Sequence, residues 1–312
     1  MSNLINKVKF EILLDESFAN INSDSSLTPI DKKNVLSIIN DFEEGTWRYS
    51  KFQSFIWDNI KETALSARER ASLIDQEQAT LVRAAKKLRL TDGDDEIGKG
   101  SELAEIVLYG IMKHHYGALP VVPKIFYKQN NQDNAKGADN VHIVLKDGDF
   151  TLWFGEAKFY NDIQNARLGS IVKSVENALT KEKLELENSI ITNVSDLNEL
   201  IDDLALRQRI LDAISPGVSM DTIKPRLHVP ILLLHECTVT STATTLTQEY
   251  KDEILSFHKD RAQAYFKKQL NKFGESLWMY SEINFHIILF PVPSKDIIVE
   301  KFLENVEFYK NQ

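Results

Sequence analysis

NVHIVLKDGDFTLWF, residues 140–154, reads as two strands joined by the shortest kind of hairpin turn. Asp147-Gly148 supplies two residues that tolerate positive φ, which a type I′ turn needs at both central positions. That turn sets Lys146 opposite Asp149, and the register follows by counting back along both arms. Leu145 then faces Phe150, Ile143 faces Leu152 and Val141 faces Phe154. All three pairs are apolar, as expected of the row a correct register turns toward a core. The other row is mixed, with Val144 against Thr151, His142 against Trp153 and Asn140 against Gly155. The next step on the apolar row sets Asp139 opposite Glu156, with Cβ atoms about 5 Å apart. Lys158 follows two residues later on the same face.

Two carboxylates at the end of an apolar row repel each other, and burial penalises both charges. A divalent cation resolves that conflict. Oxygen donors on a rigid strand pair suit Mg²⁺ or Mn²⁺, hard ions that also keep waters and bind phosphate oxygens. A neighbouring lysine can orient the attacking water and stabilise charge developing on a phosphate. The alternative is an exposed hairpin end in which Lys158 merely pairs with Glu156, and a one-residue bulge would break the register.

Just upstream, GSELAEIVLYG at 100–110 predicts a helix over 101–115 with Ser101 as its N-cap. Glu102 and Glu105 lie three apart and share a face. A first-turn position near the positive end of the helix dipole accounts for Glu102. Glu105 borders the apolar positions more closely, through Ile106 and Leu108, and a glutamate emerging there can supply a further metal ligand.

Further out, strands are expected at 8–14, 121–127, 228–236 and 283–290. Helices are expected from Pro29 to about Phe42, within 50–90, and over 162–188, 195–214, 248–273 and 296–309. This alternation makes an α/β chain. A polar, acidic loop at 91–99 divides it into a largely helical N-terminal region, residues 1–92, and a domain at 93–312 that carries the motif residues. The first region holds one strand and is a natural partner-binding surface.

The 312 residues, 43% hydrophobic and 27% charged, suffice for a soluble globular protein with a sizeable core. Apolar runs such as 231–234 and 287–290 are far too short to cross a bilayer, so no membrane partner is expected. No signal-peptide pattern opens the chain. The single cysteine, Cys237, excludes an internal disulfide and a multi-cysteine zinc site, which suits a reducing cytoplasm. With 37 basic against 46 acidic residues the formal charge is −9, a field that repels phosphates. A nucleic-acid substrate therefore needs a local basic strip or a partner that holds it. Lys113, Lys124, Lys128, Lys136, Arg167 and Lys173 can form such a strip, and Gln164 can touch the site from the following helix. GDDEIGK at 93–99 fits the start of a P-loop, but Gly100 stands where Ser or Thr is needed and three acids fill the cradle. His114-His115 read as helix-end cations and His235 as a strand terminus.

Asp139 lies seventeen positions before Glu156, which opens Glu156-Ala157-Lys158, and a glutamate-bearing helix precedes both. The arrangement resembles the PD-(D/E)xK nuclease superfamily, with Gly137-Ala138 where the proline of the name would stand. GKGSELAE at 98–105 and FGEAKFYND at 154–162 resemble, more narrowly, the HamA family. HamA proteins are the small subunits of the Hachiman antiphage system and act with a helicase subunit, HamB. The likeness is sharpest over residues 95–170. It implies a restriction-endonuclease-like mixed sheet flanked by helices, with Asp139 and Glu156 as metal ligands and Lys158 as the catalytic lysine. It also implies an accessory acid and ligand on the helix, Glu105, with Glu102 as its rival. The implied activity is that of a Mg²⁺-dependent (or Mn²⁺-dependent) endonuclease acting on DNA, restrained by a HamB-like helicase until infection. A catalytically silent adaptor that regulates the helicase is the alternative, against which the intact Asp/Glu/Lys set speaks. A free-standing restriction-type enzyme is disfavoured by the net charge.

Overall fold

The computed structural model describes residues 8–22, 24–89, 100–123, 125, 138–193, 197 and 200–312. In chain order the main elements are β1 (Glu11–Ser17), α1 (Phe18–Ile21), β2 (Lys33–Ile39), a two-rung ribbon of β3 (Phe42–Glu43) and β4 (Thr46–Trp47), α2 (Tyr49–Ala64), α3 (Ala67–Ser72), α4 (Glu77–Lys86), α5 (Ser101–Tyr116), β5 (Leu119–Val122), β6 (Asn140–Lys146) and β7 (Asp149–Tyr160). There follow α6 (Asn165–Ala178), α7 (Lys181–Asn193), α8 (Leu204–Ile214), β8 (Leu227–Glu236), α9 (Thr238–Thr242), α10 (Gln248–Gln269), β9 (Asn284–Val292) and α11 (Lys295–Lys310).

Seven strands form one mixed sheet in the order β1-β2-β9-β8-β7-β6-β5. β2, β9, β8 and β7 run parallel, while β1, β6 and β5 add antiparallel edges. Helices cover both faces. Apolar residues of α6, α7, α8 and α10, among them Leu168, Leu184, Ile210 and Phe266, pack on one face with Ile143, Leu152 and Phe154. α2, α4, α5 and α11 cover the other through Phe55, Ala84, Val107 and Phe302, against Trp153, Ala157 and Phe159. Among the described residues no helix is long and apolar enough to cross a membrane.

The hairpin has the register expected from its turn. Asp147 and Gly148 both have positive φ, 51° and 73°. Lys146 pairs with Asp149, and the ladder runs without a bulge to Asn140 opposite Gly155. Toward the root of the hairpin the mixed row is also buried, because α5 lies on it: His142 and Trp153 are inside, as is Asn140, while Val144 and Thr151 near the turn are half-buried.

The helix expected from Pro29 to Phe42 is instead strand β2, which pairs in parallel with β9. Its apolar residues Val35, Leu36, Ile38 and Ile39 are all buried. A strand covered on both faces loses its alternation and reads as a continuous apolar run, which periodicity does not separate from a buried helix. Ser101 is the first helical residue of α5 and Gly100, with φ of 86°, takes the cap.

α5 reaches the root of the hairpin because residue 155 has no side chain. A Cβ on Gly155 would stand 2.8 Å from Leu108 Cδ2 and 3.3 Å from Pro230 Cγ. Gly155→Ala is therefore expected to cost about 1–3 kcal/mol in chemical denaturation, as overpacking does; unchanged stability would show that α5 can yield.

Candidate active site

β6 begins at Asn140, opposite Gly155, so the end of β7 from Glu156 to Tyr160 pairs with β8 alone. The sheet forks here. The last rung is the Asp139 amide donating to the Gly155 carbonyl at 2.8 Å. The Ala157 amide then has no partner strand, and the Asp139 carboxylate replaces one by accepting it at 3.0 Å on Oδ2. A buried amide needs an acceptor, so the end of the hairpin aims the Asp139 side chain along β7.

Lys158 joins the two acids. Its Nζ donates to Glu156 Oε2 at 2.9 Å and to Asp139 Oδ2 at 3.3 Å. The three side chains keep 25% (Lys158), 17% (Asp139) and 6% (Glu156) of their exposure, so the cluster is sunk yet reachable. Burial pushes the Glu156 carboxyl above its ordinary value and Asp139 adds to this, with Lys158 and Ser174 opposing. Burial works against the Lys158 charge, but the two carboxylates more than offset it and hold the ammonium above the usual lysine range. Lys158 is therefore a cation and donor at neutral pH, not a base.

Two contacts escaped the sequence. Ser174 on α6 donates to Glu156 Oε2 at 2.9 Å. Glu187 on α7, almost fully buried, accepts the Ala138 amide at 2.8 Å and so steadies the residue before Asp139. A lone helical serine and one glutamate among many in 181–188 carry no signal of this; only the packing of α6 and α7 on the sheet assigns them.

Other expected residues stand elsewhere. α5 packs on the opposite face, where the Asn140 side chain donates to the Glu105 carbonyl at 3.1 Å and the Glu105 side chain is buried. Glu102 accepts the Arg89 amide at 3.1 Å. Among the described residues no three His, Cys, Asp or Glu side chains gather as a metal-holding group. Lys113 pairs with Glu62 at 2.6 Å, away from the fork. Lys124, Lys128 and Lys136, with the 93–99 run, lie outside the described residues. Gln164 is the N-cap of α6, ten residues before the serine that reaches Glu156. His114 meets Asn59 and His115 meets Asp15.

Asp139 and Glu156 fit a hard divalent cation. They present carboxylate oxygens side by side, and both bonds recorded on Glu156 fall on Oε2, so neither uses Oε1. Burial first, and Asp139 second, hold the Glu156 carboxyl above its ordinary value, a conflict that a bound cation would relieve.

No curated protein matches the chain. A family model described as HamA matches residues 15–306, which takes in β2 through β9, the fork with Asp139, Glu156 and Lys158, and all but the end of α11. The chain belongs to the HamA family.

Proposed function

We propose that the chain is a metal-dependent nuclease that hydrolyses DNA phosphodiesters, with a restriction-endonuclease-like sheet, and serves as the effector subunit beside a helicase. Membership of the HamA family makes it a component of Hachiman antiphage defence. The observation that carries the reading is the fork itself, where Asp139, Glu156 and Lys158 meet as β6 and β7 part. Asp139 and Glu156 are the metal-holding residues. A bound Mg²⁺ or Mn²⁺ would polarise the phosphate and lower the pKa of an attacking water. Asp139 is held in place by the Ala157 amide and Glu156 by Ser174. Lys158, fixed as an ammonium, donates toward the charge that develops on the phosphate. The formal charge of −9 favours a partner that delivers the DNA.

The test is plasmid cleavage by the chain with its helicase partner, with Mg²⁺ or Mn²⁺ and under activating conditions. Lys158→Met is expected to slow cleavage about 10²–10³-fold, the usual loss for one preorganised electrostatic donor. Equal rates for wild type and Lys158→Met, or intact DNA under every condition, would leave the silent adaptor as the better reading.

A further inference from the structure

The row of side chains that carries the site continues past Lys158. Glu156, Lys158 and Tyr160 alternate on one face of β7. α6 lies along that face, and two contacts set its direction. Ser174 meets Glu156, and the Arg167 guanidinium sits over the Tyr160 ring, 5.7 Å from its centroid. Arg167 and Ser174 are seven residues apart, two turns, and so share a helix face. The helix thus runs antiparallel to β7, with Arg167 about 10 Å from Ser174 along its axis.

Arg167 is half-buried and, among the described residues, enters no ion pair. Three acids on the surrounding elements are engaged elsewhere. Asp162 accepts the Gln164 amide, Glu236 accepts the Lys295 amide and Asn161, and Glu176 pairs with Lys272. Arg167 also stands in the first turn of α6, where the helix dipole adds positive potential. An arginine seated on an aromatic ring is pre-oriented, and its planar fork matches a phosphate.

We propose that Arg167, held by Tyr160, is a phosphate-binding residue for the nucleic-acid strand flanking the cut. The span from the carboxylates corresponds to about three nucleotides of a stacked strand, which rises about 3.4 Å each. Arg167 is a positioning residue: it grips the strand and leaves the reacting phosphate to the fork. The inference rests on the nuclease reading, and the experiment separates the two.

DNA binding is measured by anisotropy over a KCl series for the complex carrying Glu156→Gln, alone and combined with Arg167→Ala or Arg167→Lys. Loss of one phosphate contact lowers the salt slope by about one, with affinity down on the order of tenfold in Arg167→Ala and partly restored in Arg167→Lys. In cleavage-competent protein, Arg167→Ala raises KM and leaves kcat near wild type. A single neutral methylphosphonate within four nucleotides of the cut slows wild type and leaves Arg167→Ala unaffected. If wild type cleaves and Arg167→Ala matches it in KM, salt slope and methylphosphonate response, this inference falls and the nuclease stands. If wild type binds DNA without cleaving, the nuclease reading falls and the salt slope alone decides Arg167. If wild type neither cleaves nor binds, both fall.

Discussion

Glu156→Gln is expected to abolish DNA cleavage while raising the melting temperature of the metal-free protein. In the fold, burial and the neighbouring Asp139 disfavour the ionised Glu156 carboxyl more than Lys158 and Ser174 favour it. A neutral isostere removes that penalty and leaves Lys158 beside Asp139 at 3.3 Å. A gain of about 1 kcal/mol would raise the melting temperature by roughly 2 °C in a chain of this size. Metal reverses the order. A ligand at 100 times its dissociation constant stabilises the state that binds it by about 2.7 kcal/mol. Wild type should therefore melt higher with millimolar Mn²⁺ than with EDTA, whereas Glu156→Gln, lacking one of two carboxylates, should barely respond. Equal Mn²⁺ shifts in the two proteins would place the metal elsewhere. A lower melting temperature for Glu156→Gln in EDTA would mean that Glu156 is stabilised where it stands.

Acidification is expected to weaken the fold steeply between pH 6.5 and about pH 4. Five of the seven histidines are held below their ordinary value of 6.5 by burial: His142 to about 3, His228 and His235 to about 4, and His258 and His286 well below 6.5. The neutral forms of His228, His235, His258 and His286 are built into hydrogen bonds. The Ser37 hydroxyl meets His258 Nδ1 at 2.7 Å, His258 Nε2 meets His235 Nε2 at 3.1 Å, and His235 Nδ1 meets the Glu236 carbonyl at 3.0 Å. With His235 Nδ1–H donating to that carbonyl, the chain closes only if His258 donates to His235 and Ser37 donates to His258. His228 and His286 share a second bond at 2.8 Å beside Trp153. Unfolded histidines take protons below 6.5 while these do not, so stability is intact above that pH and is lost as pH falls toward 4. Each group contributes up to about 1.4 kcal/mol per pH unit in that window. The acids whose carboxyls the fold lowers, such as Asp41 and Glu69, start from ordinary values of 3.8 and 4.5, so histidines dominate near pH 5.5. Denaturation from pH 7 to pH 5 should report uptake of about three or more protons on unfolding; a slope under one proton would overturn the burial account.

The hairpin was legible because its information is local. Asp147-Gly148 dictates the turn and parity dictates the faces, so Leu145, Ile143 and Val141 met their partners as counted. Lys158 lay on the expected face for the same reason. β2 was misread because burial on both sides erases the alternation that marks a strand. The side of the sheet that Glu105 meets was not legible, because helical spacing says which residues share a face but not which side of a sheet that face meets.

The sequence by itself determined the α/β class, the register of β6 against β7, and the grouping of Asp139, Glu156 and Lys158, since each depends on contacts a few residues apart or on a single turn. Only the tertiary structure decided that β6 stops where β7 continues, so that the Ala157 amide turns to Asp139. It also decided which helix lies on which face, and with that the roles of Ser174, Glu187 and Arg167. Those contacts bridge elements 7 to 49 residues apart in sequence. Their geometry comes from how apolar faces pack, which fixes polar neighbours only as a consequence.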